Sequence, residues 1–414
     1  MMRVFINLFV TGFALDAAVS TVDDVTRLLL ERNLLGAPRA ILAFAVLFLS
    51  PFVYLACGLD SRLPKLWLLP PAVFAMWAGF GALPLPLFFE GAPLQAAASL
   101  MQLILAACVF AGLKKQTGDW LPPPEFYARP AWRLRSTLGF ALGNVLLVPV
   151  ALALLLASSA FGYLRHNTGG FVHFAADGVQ LEERSYTRDG RTVRLIPMIH
   201  VGSAAHYREL SAVLADPEAL VLMEGVSDRE DLLKTPLSYS KMAGFIGLDV
   251  QEHMALPGRV LEYEDLDTPG PAHTDDDGPD IVRADIDSSE LSEETRQFIE
   301  SVGALFDPED SFLESFKRYS AWYQANMTPE LERAVFAEII GKRNEALLRH
   351  LDRALPGHDL ILIPWGAMHM PGLETGLIER GFSPAGSTRR LAIAFKDLLG
   401  NGASAPEPAD GAEH

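Results

Sequence analysis

The chain has 414 residues, half of them hydrophobic (50%), and a formal net charge of −17 at pH 7. That length allows two domains, and a mean hydropathy of +0.20 is high for a soluble protein. Residues 1–165 hold 12 Lys and Arg against 8 Asp and Glu, a net of +4, which leaves −21 for residues 166–414; so acidic a C-terminal part excludes nucleic acid as a partner and does not lie flat on anionic lipid.

Residues 1–39 read as an N-terminal amphipathic or interfacial segment. The apolar run 4–15 is too short to span a bilayer and Asp16 interrupts it, so residues 1–20 read as an interfacial helix or a short first span. No small-residue cleavage site follows a basic start at the distance a signal peptide needs. Four uncharged runs follow, at 40–59, 66–89, 91–113 and 136–164. Each meets the ~20 residues needed to cross a bilayer, so residues 40–164 are expected to form a domain of about four transmembrane helices. Pro70, Pro71, Pro84 and Pro86 predict a kinked second span. Gln95, Gln102 and Asn144 can bond between helices. No span carries an internal charge, which argues against an ion pathway.

Orientation follows from the basic loops. Arg62 and Lys65 in one, and Lys114, Lys115, Arg129, Arg133 and Arg135 in another, place both in the cytoplasm. The C-terminal domain is then periplasmic, on a bacterial inner membrane. Four arginines in the N-terminal segment oppose this orientation if there are only four spans. Cys57 and Cys108 both lie in apolar runs, so the C-terminal domain has no disulfide framework and no cysteine site.

Residues 165–399 read as an α/β domain with a central, largely parallel sheet and a helical insertion. Asp189-Gly190 is a two-residue turn signal between alternating strands. The second of these strands, RLIPMIHVGS, leads to His200. A helix over 205–216 and the strand ALVLMEGVS, ending at Glu224, suggest a βαβ unit and a parallel pair. Residues 228–326 read as mainly helical. In them, Asp275–Asp277 lie in a Pro/Gly-rich acidic loop without EF-hand spacing, and Asp285 precedes a helix capped by Ser288 or Ser289. A long helix over Thr328–Leu355 has Thr328 as cap and Pro329 at its first position. Arg343 falls on its apolar stripe, where a guanidinium must be paired or line a cavity. The strand 359–365 stops at Gly366 and Ala367 and delivers His369. A helix over 372–380 and a last strand, RRLAIAF, follow. The tail 400–414 is Ala, Pro and acid rich and is expected to be disordered.

Taken singly, each of these residues has a structural explanation. Together, three apolar strands end in His200, Glu224 and His369, and ligands gather at the C-terminal edge of such sheets. Two neutral imidazoles and a carboxylate leave coordination positions open on a divalent ion. His206 and Tyr207 begin the helix near His200 and form a second rank with Asp285. His253, His273, His350 and His358 have no partners at informative spacing. No serine-hydrolase elbow, H-E-x-x-H helix or phosphate loop occurs.

The pattern resembles the TraB/PrgY–GumN–Tiki superfamily, which is related to the erythromycin esterase and ChaN-like folds. The resemblance covers about residues 180–395. One G-x-x-H motif is intact, Gly366 to His369, followed by Pro371 and Gly372; the other reads Pro197 to His200, with proline where the family has glycine. Glu224 matches the family glutamate, and Arg343 and Asn344 an R-N pair. The resemblance implies a membrane-anchored, divalent-metal-dependent, peptidase-like hydrolase with a peptide or protein substrate, using Mn or Co as the animal Tiki members do; the ligand chemistry itself leaves Mn, Co and Zn open. His200, Glu224 and His369 would hold the metal. Glu224 would be a ligand or the base for a metal-activated water, and Arg343 the oxyanion donor. Asn344 is the weaker candidate, because the next helical position turns away by ~100°. The alternative is a non-catalytic TraB-type protein that binds or sequesters a peptide signal.

Overall fold

The computed structural model describes residues 2–233 apart from positions 31, 33, 82, 84, 88, 90 and 129, together with 249–250, 258–261, 263, 266, 278–306 and 311–399. Asp275–Asp277, His253, His273 and the tail 400–414 lie outside the described residues. The chain divides into two compact units, Met1–Tyr163 and Leu164–His414.

In the first unit, four helices are long and apolar enough to cross a membrane: Met2–Leu30, Gly36–Leu59, Gly91–Thr117 and Leu134–Asn167. Their number agrees with the sequence expectation; their membership does not. Residues 2–30 form one continuous helix of 29 residues, with no break at Asp16. The reason is that Asp16 is buried and accepts a hydrogen bond from Gln102 Nε2 at 2.8 Å, so the charge is satisfied within the bundle. The run 66–89, in contrast, gives a helix of only 15 residues, Lys65–Gly79, with Pro70 and Pro71 inside it.

Met2–Leu30 and Lys65–Gly79 run antiparallel to Gly91–Thr117, and Gly36–Leu59 runs antiparallel to Leu134–Asn167. Thr21 Oγ1 donates to the Ser99 carbonyl and Arg27 to Gln95, while Asp16 meets Gln102. Tyr54 bonds Asn144, and Thr137 bonds the Gly58 carbonyl. Trp67 Nε1 donates to Gln116 at 2.9 Å. Consequently the loops 60–64 and 118–133 share one end of the bundle, where Ser61 N–H donates to the Ala131 carbonyl at 2.6 Å. At the other end Arg39 pairs with Asp23 and Asp24.

The second unit is built on an eight-stranded sheet. Its strands are β1 Val172–Ala175, β2 Gly178–Arg188, β3 Arg191–Met198, β5 Ala219–Met223, β7 Arg259–Leu261, β8 Asp280–Arg283, β9 Leu360–Gly366 and β10 Ser383–Ala394. Two short strands, β4 Val201–Gly202 and β6 Asp249–Val250, pair apart from it. The order is β1-β2-β3-β9-β5-β8-β7, with β10 on the other side of β2. From β3 to β7 every pairing is parallel; β1, β2, β3 and β10 pair antiparallel. The sheet is therefore mixed.

The turn between β2 and β3 has Asp189 at φ 52° and Gly190 at φ 83°, the two positive values that a primed hairpin turn requires. One expectation needs correction. β3 and β5 are parallel but not adjacent, because β9, the most continuously buried strand, takes the place between them. The segment 228–326, expected to be mainly helical, also contributes β7 and β8 to the sheet.

Both faces of the parallel part are covered, which is why its strands are apolar at successive positions. Leu195, Leu220, Leu222, Ile361 and Ile363 pack on one face with Leu347 and Leu351 of the helix Arg343–Ala354 and Leu373 and Leu377 of the helix Met370–Glu379. Ile196, Val221 and Leu362, one residue out of phase, face Leu210 and Leu214 of the helix Ala204–Leu214. The long helix predicted over 328–355 is interrupted: Pro329–Phe336 is α-helical, Ala337–Lys342 is a π-helical turn, and Arg343–Ala354 resumes the α-helix. Such wide turns often mark functional positions. The helix predicted to start at Ser288 or Ser289 starts later, at Glu293, with Ser292 as its cap; Asp287 caps a short turn before it.

Candidate functional site

The parallel register puts the ends of β3, β9 and β5 at one edge. Met198 lies opposite Gly366, and the Ala367 N–H donates to the Met198 carbonyl at 3.0 Å. Glu224 follows β5 directly, and its Oε2 accepts the Gly366 N–H at 2.6 Å. The glycine eases this approach, since a Cβ at position 366 would stand 3.3 Å from that oxygen.

Arg343 joins two carboxylates. Its Nη2 donates to Glu224 Oε1 at 2.8 Å and to Asp285 Oδ2 at 2.7 Å, and its Nε donates to Asp285 Oδ1 at 3.0 Å. The Asp285 side chain is wholly buried and also accepts the N–H groups of Gly225 and Ile286, at 2.9 and 2.8 Å. Burial opposes the charge on Arg343, but the Asp285 bond and the Glu224 charge outweigh it and hold the guanidinium above its ordinary pKa.

Asn344, the residue expected to turn away, enters the same cluster from the next helical position. Its Oδ1 accepts from His369 Nδ1 at 2.7 Å, and its Nδ2 donates to the His369 carbonyl at 3.2 Å. His369 starts the helix Met370–Glu379, which packs on the helix carrying Asn344, so the ~100° turn aims Asn344 at that helix while Arg343 reaches the strand ends. Gly372 makes the approach possible: a Cβ there would collide with Asn344 Nδ2. The ring of Trp365 meets the imidazole edge-on at 5.0 Å.

With Nδ1 donating to Asn344, the neutral tautomer leaves a lone pair on Nε2. That atom lies 3.5 Å from Arg343 Nη1 and 3.6 Å from Glu224 Oε1. Burial above all pulls the His369 pKa down to about 4; Arg343 and His200 lower it further, and Glu224 opposes them. His369 is therefore a neutral base at pH 7.

The remaining sequence candidates are placed differently. His200 is exposed at the same edge and acts on His369 through its charge. Pro197 lies within β3 opposite Trp365, and the strand continues to Met198, so the first motif has no stop like that at Gly366. Tyr207 supports the backbone before His200, its hydroxyl donating to the Ile199 carbonyl at 2.9 Å. His206 is buried against Gly202 and belongs to no part of the cluster; both its ring nitrogens lack a hydrogen-bond partner among the described residues. Burial, with Arg390 adding to it, lowers its pKa to about 4.

For a divalent ion, the donor chemistry is suitable at two atoms. An imidazole pinned through Nδ1 and presenting Nε2 is the arrangement of a metal-ligating histidine, and the 3.6 Å to Glu224 Oε1 suits two ligands ~2 Å from one ion. The expected third donor is not grouped with them: among the described residues, no three His, Cys, Asp or Glu side chains are placed to hold a metal. The Arg343 guanidinium, a fixed cation, stands against both donor atoms.

Comparisons with protein-family models, with curated proteins and with solved structures find no match to this chain.

Proposed function

We propose that the C-terminal unit is a membrane-anchored hydrolase, peptidase-like as its resemblance to the TraB/GumN/Tiki proteins implies. The observation that carries this reading is the 3.5 Å approach of His369 Nε2 to Arg343 Nη1. It sets a neutral base beside a guanidinium nitrogen that, among the described residues, bonds no carboxylate. His369 Nε2 can take a proton from an attacking water, and Nη1 can stabilise the oxyanion that develops on a carbonyl. Asn344 holds the imidazole in the productive tautomer. Glu224 and Asp285 fix the guanidinium plane and so pre-orient Nη1. A divalent ion, if taken up by His369 and Glu224 with His200, would supply Lewis acidity to the same carbonyl.

A second reading, a binding protein without turnover, is favoured by the closed contact between Arg343 and its two carboxylates. The full-length chain in detergent, incubated with a peptide mixture with and without Mn, Co or Zn, separates the two. Cleavage by the wild type that is lost in His369→Ala and Glu224→Gln, both still folded, supports the hydrolase. Peptide retained intact under every metal condition replaces it with the binding reading.

The membrane assignment belongs to the same proposal. Four apolar helices suit a bilayer, and the bundle puts Arg3 at the basic end, which reduces the opposing charge to Arg27, Arg32 and Arg39. With Lys65–Gly79 running between its neighbours, the basic loops share one end, which the positive-inside rule puts in the cytoplasm. Arg27 and Arg39 then lie at the far end, bonded to Gln95 and to Asp23 and Asp24. The helix Leu134–Asn167 starts at the basic end, so the chain that follows it emerges on the periplasmic side.

A further inference from the structure

The basic end of the helical unit contains a groove of about 680 Å³ that the proposed hydrolase does not use. It is lined by Ser61, Lys65, Trp67, Lys115, Gln116 and Ser136, with Leu66 at its side. Gly112 shapes the floor: a Cβ there would collide with the Trp67 ring, so the glycine lets the indole lie against the helix Gly91–Thr117. Gln116 then fixes the indole by accepting its N–H at 2.9 Å.

The groove combines lysine side chains with apolar ones. The nearby carboxylate Asp60 is engaged by Arg62, which donates to it through Nε at 2.9 Å and Nη2 at 2.7 Å. Among the described residues, Lys65 Nζ donates to the neutral Ser136 Oγ at 2.5 Å and lies 6.0 Å over the Phe140 ring. Lys115 pairs with no carboxylate among the described residues. Two ammonium groups therefore line one cleft together with hydroxyl and amide groups. Trp67 and Leu66 line it as well, the latter 72% exposed.

The groove also sits at a defined level. Trp67, Trp120, Tyr127 and Trp132 all occur at this end of the bundle, and Lys114 Nζ lies 4.0 Å over the Trp120 ring. Aromatic rings with lysines at the ends of apolar helices mark the depth of lipid headgroups. Basic pockets between helices on the cytoplasmic side suit anionic headgroups.

We propose that this groove binds the headgroup of an anionic phospholipid, the phosphate between Lys65 and Lys115 and the glycerol and acyl start against Trp67 and Leu66. The inference rests on the reading of the apolar helices as membrane-embedded.

The test is native mass spectrometry of the full-length chain in detergent, titrated with phosphatidylglycerol, phosphatidylcholine or inorganic phosphate. The wild type is expected to retain one phosphatidylglycerol at concentrations where phosphatidylcholine is not retained. Lys65→Gln with Lys115→Gln should weaken retention about 30-fold, the contribution of two lysines at a membrane surface. Lys115→Gln alone, which removes no side-chain hydrogen bond or ion pair among the described residues, should weaken it about five-fold. The charge-matched pair Arg133→Gln with Arg135→Gln, outside the groove, should leave it unchanged. Equal loss in both double variants would overturn the site in favour of diffuse surface charge. Inorganic phosphate displacing the lipid at equal concentration would overturn the lipid in favour of a free anion. Extraction of the chain by carbonate without detergent would overturn the membrane reading itself, a separate result.

Discussion

Asn344 grips His369 twice, accepting from Nδ1 of the ring at 2.7 Å and donating to the backbone carbonyl at 3.2 Å. One amide thus sets both the tautomer and the position of the base. Asn344→Ala leaves a buried imidazole N–H without a partner, at a cost of about 1–3 kcal/mol. A lowered thermal midpoint is expected, together with loss of any peptide cleavage. Asn344→Asp, which keeps the acceptor, should restore stability better than alanine does.

The Arg343 network gives a prediction with an internal control. Arg343→Met strands Asp285 as a buried carboxylate, and removal of one partner from a buried pair costs about 3–5 kcal/mol. Asp285→Asn in the same chain removes the stranded charge and should recover part of that loss. Additive losses in a double-mutant cycle would show that the two side chains are not coupled.

Gly372→Ala should be more damaging than Gly366→Ala. The first places a methyl group into Asn344 Nδ2, in a packed helix interface; the second meets Glu224 Oε2 at 3.3 Å, a contact that a small shift relieves. Comparison of the thermal midpoints, and of the histidine NMR signals, checks the order.

Acid should destabilise the second unit. His369 and His206 both titrate near pH 4 in the fold, below the ordinary 6.5 of an unfolded histidine. Between those values the unfolded chain binds more protons, so the stability they contribute is complete above pH 6.5 and is lost as the pH falls toward 4. Each contributes on the order of 3 kcal/mol at most. His206→Phe, away from the cluster, should flatten the decline in thermal midpoint between pH 7 and pH 5; an unchanged slope would remove His206 from the account.

For topology, reporters fused near residue 125 are expected to be cytoplasmic and those near residue 399 periplasmic. Cytoplasmic signals at both positions would reverse the orientation.

Much of the frame was readable from local pattern. Apolar runs announced three of the four long helices, Asp189-Gly190 announced its hairpin, and strand-end His200, Glu224 and His369 all belong to the ends of β3, β5 and β9 at one edge. These are matters of periodicity, turn chemistry and the common direction of parallel strands. What the sequence could not settle depended on distant partners. Asp16 stays within a helix because Gln102, 86 positions on, satisfies it. Lys65–Gly79 takes its place in the bundle because both neighbours flank it. β9 enters between β3 and β5, an order that no local signal encodes. Asp285 and Asn344 ranked low as isolated residues, and only the tertiary structure brought them to Arg343 and His369. A buried charge or amide acquires its role from whatever satisfies it, and here those partners lie 58 and 25 residues away along the chain.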